Sequence, residues 1–238
     1  NKVLTRPNHS IVNGVNQDWD KFDSYSSYDD FTFSYLTECK RVLKPDGGLW
    51  IIGSYHNIFR IGKILQDLNF WILNDVIWAK SNPLPNFRAT RLTNAHETLI
   101  WCSKKPKSKY QFNYHTLKVA NEDRQERSIW NFPICSGKER LKNNKKQTAH
   151  PTQKPLALMK KIIIQSSIQG DLVLEPFAGT ASFCAEAKYL GRNYIGFEKD
   201  ETYFNLAIKR LKKIKSLKND LLEINEKDKP TQKIPFAS

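Results

Sequence analysis

Residues 170–180, GDLVLEPFAGT, decide the fold of this chain. The apolar run LVL predicts a buried strand that ends in an acid at Glu175. ASFCAEAKYLG then predicts a helix that is closed by Gly191. Between them, Gly179 has no side chain, so the backbone of the turn can approach a ligand closely. A strand, a tight turn and a helix in this order are typical of the ligand-binding edge of an α/β sheet.

A second acid lies at the end of the next predicted strand. NYIGFE ends in Glu198, and an acid at this place commonly accepts hydrogen bonds from the ribose hydroxyls of an adenosine. The turn has a single glycine, whereas a dinucleotide needs the fuller G-x-G-x-x-G pattern because its pyrophosphate lies against the backbone. Acids suit a positively charged sulfonium nucleoside better. The pattern therefore favours S-adenosylmethionine over NAD, and an ordinary strand, turn and helix is the alternative interpretation.

Strands and helices also alternate before this stretch. YDDFTFSYLTECKRVLKPDGG and NIFRIGKILQDLNF predict amphipathic helices, and LWIIGSY, WILNDVIWAK and ETLIWCSK predict strands. This spacing is typical of a βαβ layer, and LWIIGSY predicts a buried strand of a parallel sheet. Residues 104–149 predict a long irregular segment. PLALMKKIIIQSS and ETYFNLAIKRLKKI then predict helices on either side of the glycine turn.

The composition favours a globular protein with a polyanionic partner. Hydrophobic residues make up 39% of the 238 positions, and no apolar run approaches the ~20 residues that span a bilayer. The 38 Lys and Arg residues against 24 Asp and Glu give a net charge of +14. This excess favours nucleic acid, because each cation that neutralises a phosphate releases condensed counterions. The four cysteines are far apart and predict neither a zinc site nor a disulfide framework.

Two polar, cationic stretches are candidates for contacting nucleic acid. In SNPLPNFRATR, Asn86, Arg88 and Arg91 have side chains that can form paired hydrogen bonds with adenine and guanine edges. Other cations are candidates for phosphate contacts, which position a protein without reading sequence. These are Lys80, Lys138, Arg140 and Lys142. A solvated charged surface is the alternative for residues 142–146.

The hexapeptide HPTQKP, at residues 150–155, precedes the glycine turn. The order HPTQKP, DLVLEPFAGTAS and GRNYIGFEKDETY resembles the β-class amino-methyltransferases of DNA. Several further segments narrow the resemblance to the enzymes that methylate the N6 amine of adenine in GANTC. They are DWDKFDSY, RVLKPDGGLWIIGSYHNIFRIGKILQDLNFWILNDVIWAKSNPLPNFRATR, NAHETLIWCSK and FNYHTLKVANEDRQERSIWNFPICSGKERLK. The resemblance covers residues 7–214.

The resemblance implies a Rossmann-like α/β sheet with helices on both faces and a permuted motif order. We expect a catalytic half at residues 1–80, target-recognition loops at 81–149 with sheet strands at 95–103, an S-adenosylmethionine-binding half at 150–215 and a flexible basic tail at 216–238. This order explains why the glycine turn comes late in the chain. The family's catalytic tetrapeptide, Asp-Pro-Pro-Tyr, would lie just before residue 1, and we expect the natural protein to contain it.

The resemblance also implies roles for individual residues in a methyl transfer that needs no metal. The expected S-adenosylmethionine contacts are Glu175, Phe177, Gly179, Thr180, Glu198, His150, Thr152 and Lys154. Phe177 equally fits the core, and a hydrogen-bonded loop histidine is the alternative for His150. Ser54 and Tyr55 are expected to line the pocket of the target base, which must leave the duplex. Family members often have a second glycine where Ala181 stands.

Double-stranded DNA, a homodimeric partner and a restriction endonuclease acting on the same site are the implied partners, in the bacterial cytoplasm and away from membranes. Other functions stay open. The same motif order occurs in enzymes that methylate the N4 amine of cytosine, and an RNA substrate is compatible with it. A DNA-binding module that keeps the scaffold without its chemistry also fits the residues. An NAD-dependent oxidoreductase is disfavoured by the single glycine and by the basic charge.

Overall fold

The computed structural model describes residues 3–5, 11–13, 21–143 and 146–217. From residue 218 on, the predicted basic tail lies outside the described residues. The described residues form two compact units. The first unit takes its residues from 1–109 and 128–131, and the second from 110–127 and 132–238. Within the described part of the chain, no helix has both the length and the apolar character needed to cross a membrane.

The first unit contains a small antiparallel pair of strands and a larger sheet. The pair consists of β1 (Val3–Thr5) and β2 (Ile11–Asn13). The remaining elements, in chain order, are α1 (Tyr25–Val42), β3 (Gly48–Gly53), α2 (Ile58–Asp67), β4 (Trp71–Lys80), β5 (His96–Ser103) and β6 (Ile129–Phe132). The strand order across the larger sheet is β3-β5-β4-β6.

Strand β5 lies between β3 and β4 and runs antiparallel to both. As a result β3 and β4 are parallel to each other, as a βαβ connection requires, but they are not neighbours. The prediction that LWIIGSY pairs in a parallel sheet is therefore wrong. Both Leu99 and Ile100 of β5 are buried, although they face opposite sides of the sheet. The sequence of a central strand that is buried on both faces is a continuous apolar run. Such a run does not show whether the strand is parallel or antiparallel to its neighbours.

Helices α1 and α2 form the core of the first unit together with the sheet. Helix α1 begins with a capping box, in which Ser24 and Ser27 each accept a hydrogen bond from the other's amide at 3.1 Å. Leu36 of α1 and Leu65 of α2 are fully buried and pack in one cluster with Ile100 of β5. Burying side chains of this size contributes roughly 1.5–3 kcal/mol each, which holds the helices against the sheet.

The second unit carries the predicted glycine turn. Its elements are α3 (Tyr114–Ala120), α4 (Leu156–Ser166), β7 (Leu172–Glu175), α5 (Ser182–Tyr189), β8 (Asn193–Gly196) and α6 (Glu201–Lys213). Strands β7 and β8 pair in parallel, with Glu175 opposite Gly196, so their carboxyl ends lie at one edge. Val173 and Tyr194 pack against buried residues of α4 and α5, among them Ile163.

Residues 104–149 are more ordered than predicted. They contain α3, β6 and an antiparallel bridge between Lys142 and Thr148. The prediction of a long irregular segment is wrong for these parts. A helix of seven residues and a strand of four are too short to show a clear hydrophobic period, which is why the pattern alone missed them.

Candidate functional site

The glycine turn lies between β7 and α5 and is fastened to the end of β8. The amide of Ala178 donates to the carbonyl of Phe197 at 2.8 Å, and the amide of Phe197 donates to the carbonyl of Glu175 at 3.0 Å. Gly179 has a φ of 53° and Ala181 a φ of 55°, both in the left-handed region. This conformation costs an alanine about 1–2 kcal/mol, which gives a physical reason for the glycine often found at this place in the resembling family.

Glu198 lies beside the turn. Its Oε2 accepts a hydrogen bond from the amide of Gly179 at 2.7 Å, and its Oε1 accepts one from the amide of Asp200 at 2.8 Å. Each carboxylate oxygen has a further lone pair, so Glu198 can still accept hydrogen bonds from hydroxyl groups. The carboxylate thus holds the glycine in place, and its binding to a ribose stays a prediction.

Glu175 ends β7, but its carboxyl group faces the following helix. Its Oε2 accepts a hydrogen bond from the amide of Cys184, in the first turn of α5, at 3.1 Å. Burial raises the pKa of Glu175 to about 7, although hydrogen bonds from Cys184 and Phe183 and the charge of Arg210 oppose the shift. The carboxyl group therefore supports the turn from the side of the helix. Direct contact between Glu175 and a cofactor stays a prediction.

The raised pKa of Glu175 predicts a pH-dependent stability. A carboxyl whose folded pKa lies above its ordinary 4.5 stabilises the fold fully below pH 4.5, and this contribution is lost as the pH rises towards about 7. We expect Glu175→Gln, which cannot ionise, to gain about 2 kcal/mol of stability over the wild type between pH 5 and pH 7. Urea unfolding of both proteins at each pH measures this difference.

Glu201→Gln is the matched control, because Glu201 lies exposed in the first turn of α6. Its stability difference from the wild type is expected to vary by less than about 0.5 kcal/mol over the same range. If the difference in stability between Glu175→Gln and the wild type did not change with pH, the conclusion that burial raises the pKa of Glu175 would be wrong.

His150, the first residue of HPTQKP, lies over Gly179. Its Nε2 would be 3.1 Å from a Cβ atom at position 179, and its ring packs edge to face on Tyr203 with centroids 4.5 Å apart. Its Nδ1 accepts a hydrogen bond from the amide of Thr152 at 3.2 Å. Burial lowers the pKa of His150 and the charge of Glu198 opposes this shift. The neutral ring then carries its hydrogen on Nε2, beside the glycine.

The other predicted cofactor residues differ in exposure. Phe177 is 59% exposed, so it does not belong to the core. Thr180 is buried, and Lys154 is half-buried, with a charge that helps to lower the pKa of His150. The structure thus places Glu198 and His150 beside Gly179. Cofactor binding by these three residues, as by Phe177, Thr180, Thr152 and Lys154, stays a prediction.

Arg210 supports the turn from α6, and the sequence reasoning did not identify it. Its Nη1 donates to the carbonyl of Thr180 and to the hydroxyl of Ser182, both at 3.1 Å. Burial lowers the pKa of its guanidinium, and the charges of nearby acids, Glu139 first among them, oppose the shift. A signal was available, because Arg210 follows the buried Ala207 by three positions and therefore lies on the inward face of the helix.

In the first unit, the structure joins a predicted base-pocket residue to a predicted DNA-reading residue. Tyr55 follows β3 and is 39% exposed. The guanidinium of Arg91 lies 5.4 Å from the centroid of the Tyr55 ring, and its Nη1 donates to the Tyr55 hydroxyl. Ser54, by contrast, closes a local turn, in which its amide donates to Asn57 Oδ1 at 3.0 Å. Contact of Ser54 or Tyr55 with a base stays a prediction.

Asn86 and Arg88 belong to the loop at residues 81–95. The Asn86 side chain donates through Nδ2 to the carbonyl of Arg91 at 2.8 Å and accepts from the amide of Arg88 at 3.2 Å. Its amide group is therefore engaged in shaping the loop. The side chains of Arg88 and Arg91 are exposed. Reading of base edges by these residues stays a prediction.

Lys80 forms a largely buried ion pair at the base of this loop. Its Nζ lies 2.9 Å from Glu97 Oε1, and the two side chains are 12% and 16% exposed. The Lys80 amide also donates to the carbonyl of Ala95 at 2.8 Å, which closes the loop. Lys80 therefore has a structural role here, while its contact with a phosphate stays a prediction.

Lys138 and Arg140 belong to the second unit. Lys138 is exposed in a single turn of 3-10 helix, Gly137–Glu139. Arg140 is half-buried, and its Nη2 donates to the carbonyl of Pro151 at 2.9 Å. Arg140 thus connects the basic segment to HPTQKP. Binding of DNA phosphates by Lys138 and Arg140 stays a prediction.

Comparison with known proteins supports the interpretation of these motifs. A Type II methyltransferase of Haemophilus influenzae, M.HinfI, is 51% identical over 235 residues, which cover 99% of this chain and 65% of that protein. The chain thus spans about two-thirds of the length of this relative. A Type II methyltransferase of Moraxella bovis, M2.MboI, is 39% identical over 222 residues, which cover 92% of this chain and 79% of the relative.

Solved structures have the same fold. The M1.HpyAVI–SAM complex matches with a TM-score of 0.64 and 32% identity over 80% of this chain and 85% of its own. The PvuII cytosine-N4-specific DNA methyltransferase matches with a TM-score of 0.67 and 20% identity over 94% of this chain and 80% of its own, a likeness of fold alone. The predicted α/β methyltransferase fold is confirmed. A family model described as DNA methylase matches residues 3–209, and the chain belongs to this family of DNA methylases.

Proposed function

We propose that the protein transfers a methyl group from S-adenosylmethionine to the N6 amine of adenine within GANTC in double-stranded DNA. The observation that carries the proposal is the left-handed Gly179 turn, held by the Glu198 carboxylate and covered by His150. The Haemophilus influenzae and Moraxella bovis relatives, both named Type II methyltransferases, support the same reaction class. The GANTC target follows from the segments that resemble the GANTC-modifying enzymes.

The residues around the turn fit S-adenosylmethionine. Gly179 has no side chain, which leaves its backbone accessible. The space that a Cβ atom would occupy lies next to His150. Glu198 offers acceptor capacity for ribose hydroxyls, and the half-exposed ring of Phe177 offers an apolar surface. The turn has the acid Glu198 beside it and a single glycine, which suits a positively charged ligand better than a pyrophosphate.

The proposed mechanism is an in-line displacement governed by alignment. S-adenosylmethionine supplies an electrophilic methyl group on its sulfonium. An exocyclic adenine amine is a weak nucleophile, and the resemblance assigns acceptance of its hydrogens to the Asp-Pro-Pro-Tyr tetrapeptide. Among the described residues, Glu198 contributes to positioning by holding the Gly179 turn against which the cofactor is proposed to lie. Alignment of this kind can supply roughly 7–11 kcal/mol of a barrier.

The exposed cations Arg88, Lys138 and Lys142 are proposed to contact DNA, in line with the net charge of +14. A homodimer, a restriction endonuclease acting on the same site and a bacterial cytoplasmic location are further parts of the proposal. The homodimer and the endonuclease are supported by the resemblance, and the location is supported by the bacterial origin of the two relatives.

Protection of DNA tests the proposed reaction. Plasmid is incubated with the purified full-length protein and S-adenosylmethionine and then cut with a nuclease specific for GANTC. We expect resistance to cutting only when both protein and cofactor are present, and nucleoside analysis should then detect N6-methyladenine. N4-methylcytosine as the product, or full cutting after incubation, would refute the proposal.

Glu198→Gln tests the cofactor site separately. The amide keeps one acceptor oxygen but directs an NH₂ group towards a backbone amide, at Gly179 or at Asp200. Hydrogen bonds to a charged group contribute about 1.5–3 kcal/mol, so we expect the affinity for S-adenosylhomocysteine to fall by about tenfold in calorimetry. Glu201→Gln, with the same change of charge at an exposed position, should leave the affinity within about twofold.

A further inference from the structure

The basic segment after Glu139 forms two short antiparallel arms, residues 141–143 and 147–149. The amide of Ala149 donates to the carbonyl of Leu141, and the amide of Asn143 donates to the carbonyl of Gln147, both at 2.9 Å. Lys142 on the first arm is exposed, as are Lys138 before it and Lys146 between the arms. The two arms together with Lys138 and Lys146, called the basic arms below, therefore present three exposed cations next to hydrogen-bonded backbone.

Gln153, the fourth residue of HPTQKP, fastens the base of these arms. Its Nε2 donates to the carbonyl of Glu139, and its Oε1 accepts from the amide of Leu141, both at 3.0 Å. Gln153 is only 8% exposed, and both hydrogen bonds are partly buried. The buried Gln153 side chain thus forms hydrogen bonds with the carbonyl of Glu139 and the amide of Leu141, which are two residues apart. It holds this segment in place in the same way as the main chain of a neighbouring strand would.

Two further contacts connect the same base to the start of α4 and to HPTQKP. Glu139 Oε1 accepts from the amide of Leu156, at the start of α4, at 2.5 Å, and Arg140 Nη2 donates to the carbonyl of Pro151 at 2.9 Å. At the other end, the second arm continues directly into His150, whose ring lies over Gly179. A displacement of the arms would thus be transmitted to the Gly179 turn through a hydrogen-bonded, partly buried connection.

We infer that Gln153 is a positioning residue that couples phosphate binding by the basic arms to cofactor binding at the Gly179 turn. The inference rests on the proposed function and adds to it a regulatory link between its two ligands. Coupling of this kind is reciprocal. Duplex DNA should therefore change the affinity for the cofactor by a certain factor, and the cofactor should change the affinity for DNA by the same factor. Coupling factors between two sites are typically about 5–150.

The test measures the affinity of the full-length protein for S-adenosylhomocysteine by calorimetry, alone and with saturating GANTC duplex. We expect a coupling factor of at least about fivefold in the wild type and below about twofold in Gln153→Met. Each ligand alone should bind to Gln153→Met within about threefold of the wild type. Gln125→Met, the same change at an exposed position of the second unit, is the matched control and should keep the coupling.

The double variant Lys142→Ala, Lys146→Ala tests the arms without changing the buried contacts, so its result stands even if Gln153→Met unfolds. We expect the slope of DNA affinity against salt concentration to fall by about two units in this variant, which corresponds to the loss of two phosphate contacts. The coupling should be lost as well. Lys212→Ala, at an exposed position of α6, should change neither the salt dependence nor the coupling.

Undiminished coupling in either the Gln153 or the lysine variant would overturn the inference. A wild type that binds both ligands independently would also overturn it and leave the methyltransferase proposal standing. Failure to bind S-adenosylhomocysteine with or without duplex would instead refute the proposed function.

Discussion

Gly179→Val is expected to lower the affinity for S-adenosylhomocysteine by about 100-fold, or about 2.7 kcal/mol. Position 179 has a φ of 53°, a conformation in which a β-branched residue is a steric outlier. A Cβ atom there would also lie 3.1 Å from Nε2 of His150, which is closer than an ordinary van der Waals contact. The side chain would therefore fill the space through which the backbone approaches the cofactor and push the histidine away.

Gly170→Val is the control that separates backbone strain from filling of the cofactor site by the new side chain. Gly170 has a φ of 83°, but nothing lies within 4 Å of a Cβ atom placed there. This variant should lose about 1–2 kcal/mol of stability and keep its cofactor affinity within about twofold. Calorimetry and urea unfolding of the two variants provide both comparisons. An unchanged affinity in Gly179→Val would show that the cofactor binds elsewhere.

The glycine turn could be predicted because its physical requirements are local. The strand needs an apolar run, the turn needs a residue that tolerates a positive φ, and the helix that follows needs a stop at Gly191. The prediction that this strand is buried is wrong for one face of β7, where Leu172 and Leu174 are 56% and 37% exposed. The antiparallel insertion of β5 could not be predicted in this way. His96–Ser103 is apolar on both faces, and the partner of such a strand depends on contacts distant in sequence.

Side-chain direction was the second limit of sequence reasoning. Glu175 and Glu198 each end a predicted strand and look equivalent in the sequence. In the structure β8 ends at Gly196, Glu175 faces the amide of Cys184, and Glu198 holds Gly179. Gln153 was passed over because nothing in HPTQKP shows that its amide binds a segment fourteen and twelve positions upstream. Tertiary hydrogen bonds of this kind join segments whose proximity is a property of the fold.

Residue type alone does not show whether a polar side chain is available to DNA. Lys80 and Asn86 have side chains suited to phosphates and bases, but both are engaged within the protein. Exposure separates them from Arg88 and Lys138, and exposure is not visible in a polar loop sequence. The distinction matters because removing one partner of a buried ion pair destabilises the fold strongly, whereas removing an exposed partner has little effect on stability.

Glu97→Gln is accordingly expected to lower the free energy of unfolding by about 3 kcal/mol. The change leaves the Lys80 ammonium, 12% exposed and 2.9 Å from the former carboxylate oxygen, without a counter-charge. Replacing both residues, in Lys80→Met with Glu97→Met, removes the buried charges together and should restore stability to within about 1 kcal/mol of the wild type. Urea unfolding measures all three proteins.

The ion pair between Lys63 and Asp67 is the control for exposure, because its side chains are 74% and 47% exposed. Asp67→Asn should cost less than about 0.5 kcal/mol. An equally small cost for Glu97→Gln would mean that the Lys80 ammonium is solvated and free to reach DNA.

The double methionine variant also decides what Lys80 does for DNA binding. The main-chain amide of residue 80 donates to the carbonyl of Ala95 and so closes the loop that carries Arg88 and Arg91. Because this hydrogen bond involves only the main chain, the substitutions leave it in place. If Lys80 acts only through the ion pair, the double variant keeps the affinity for a GANTC duplex and the slope of that affinity against salt. We expect this result, because the ammonium is buried and paired. A slope reduced by about one unit would instead assign Lys80 to a phosphate.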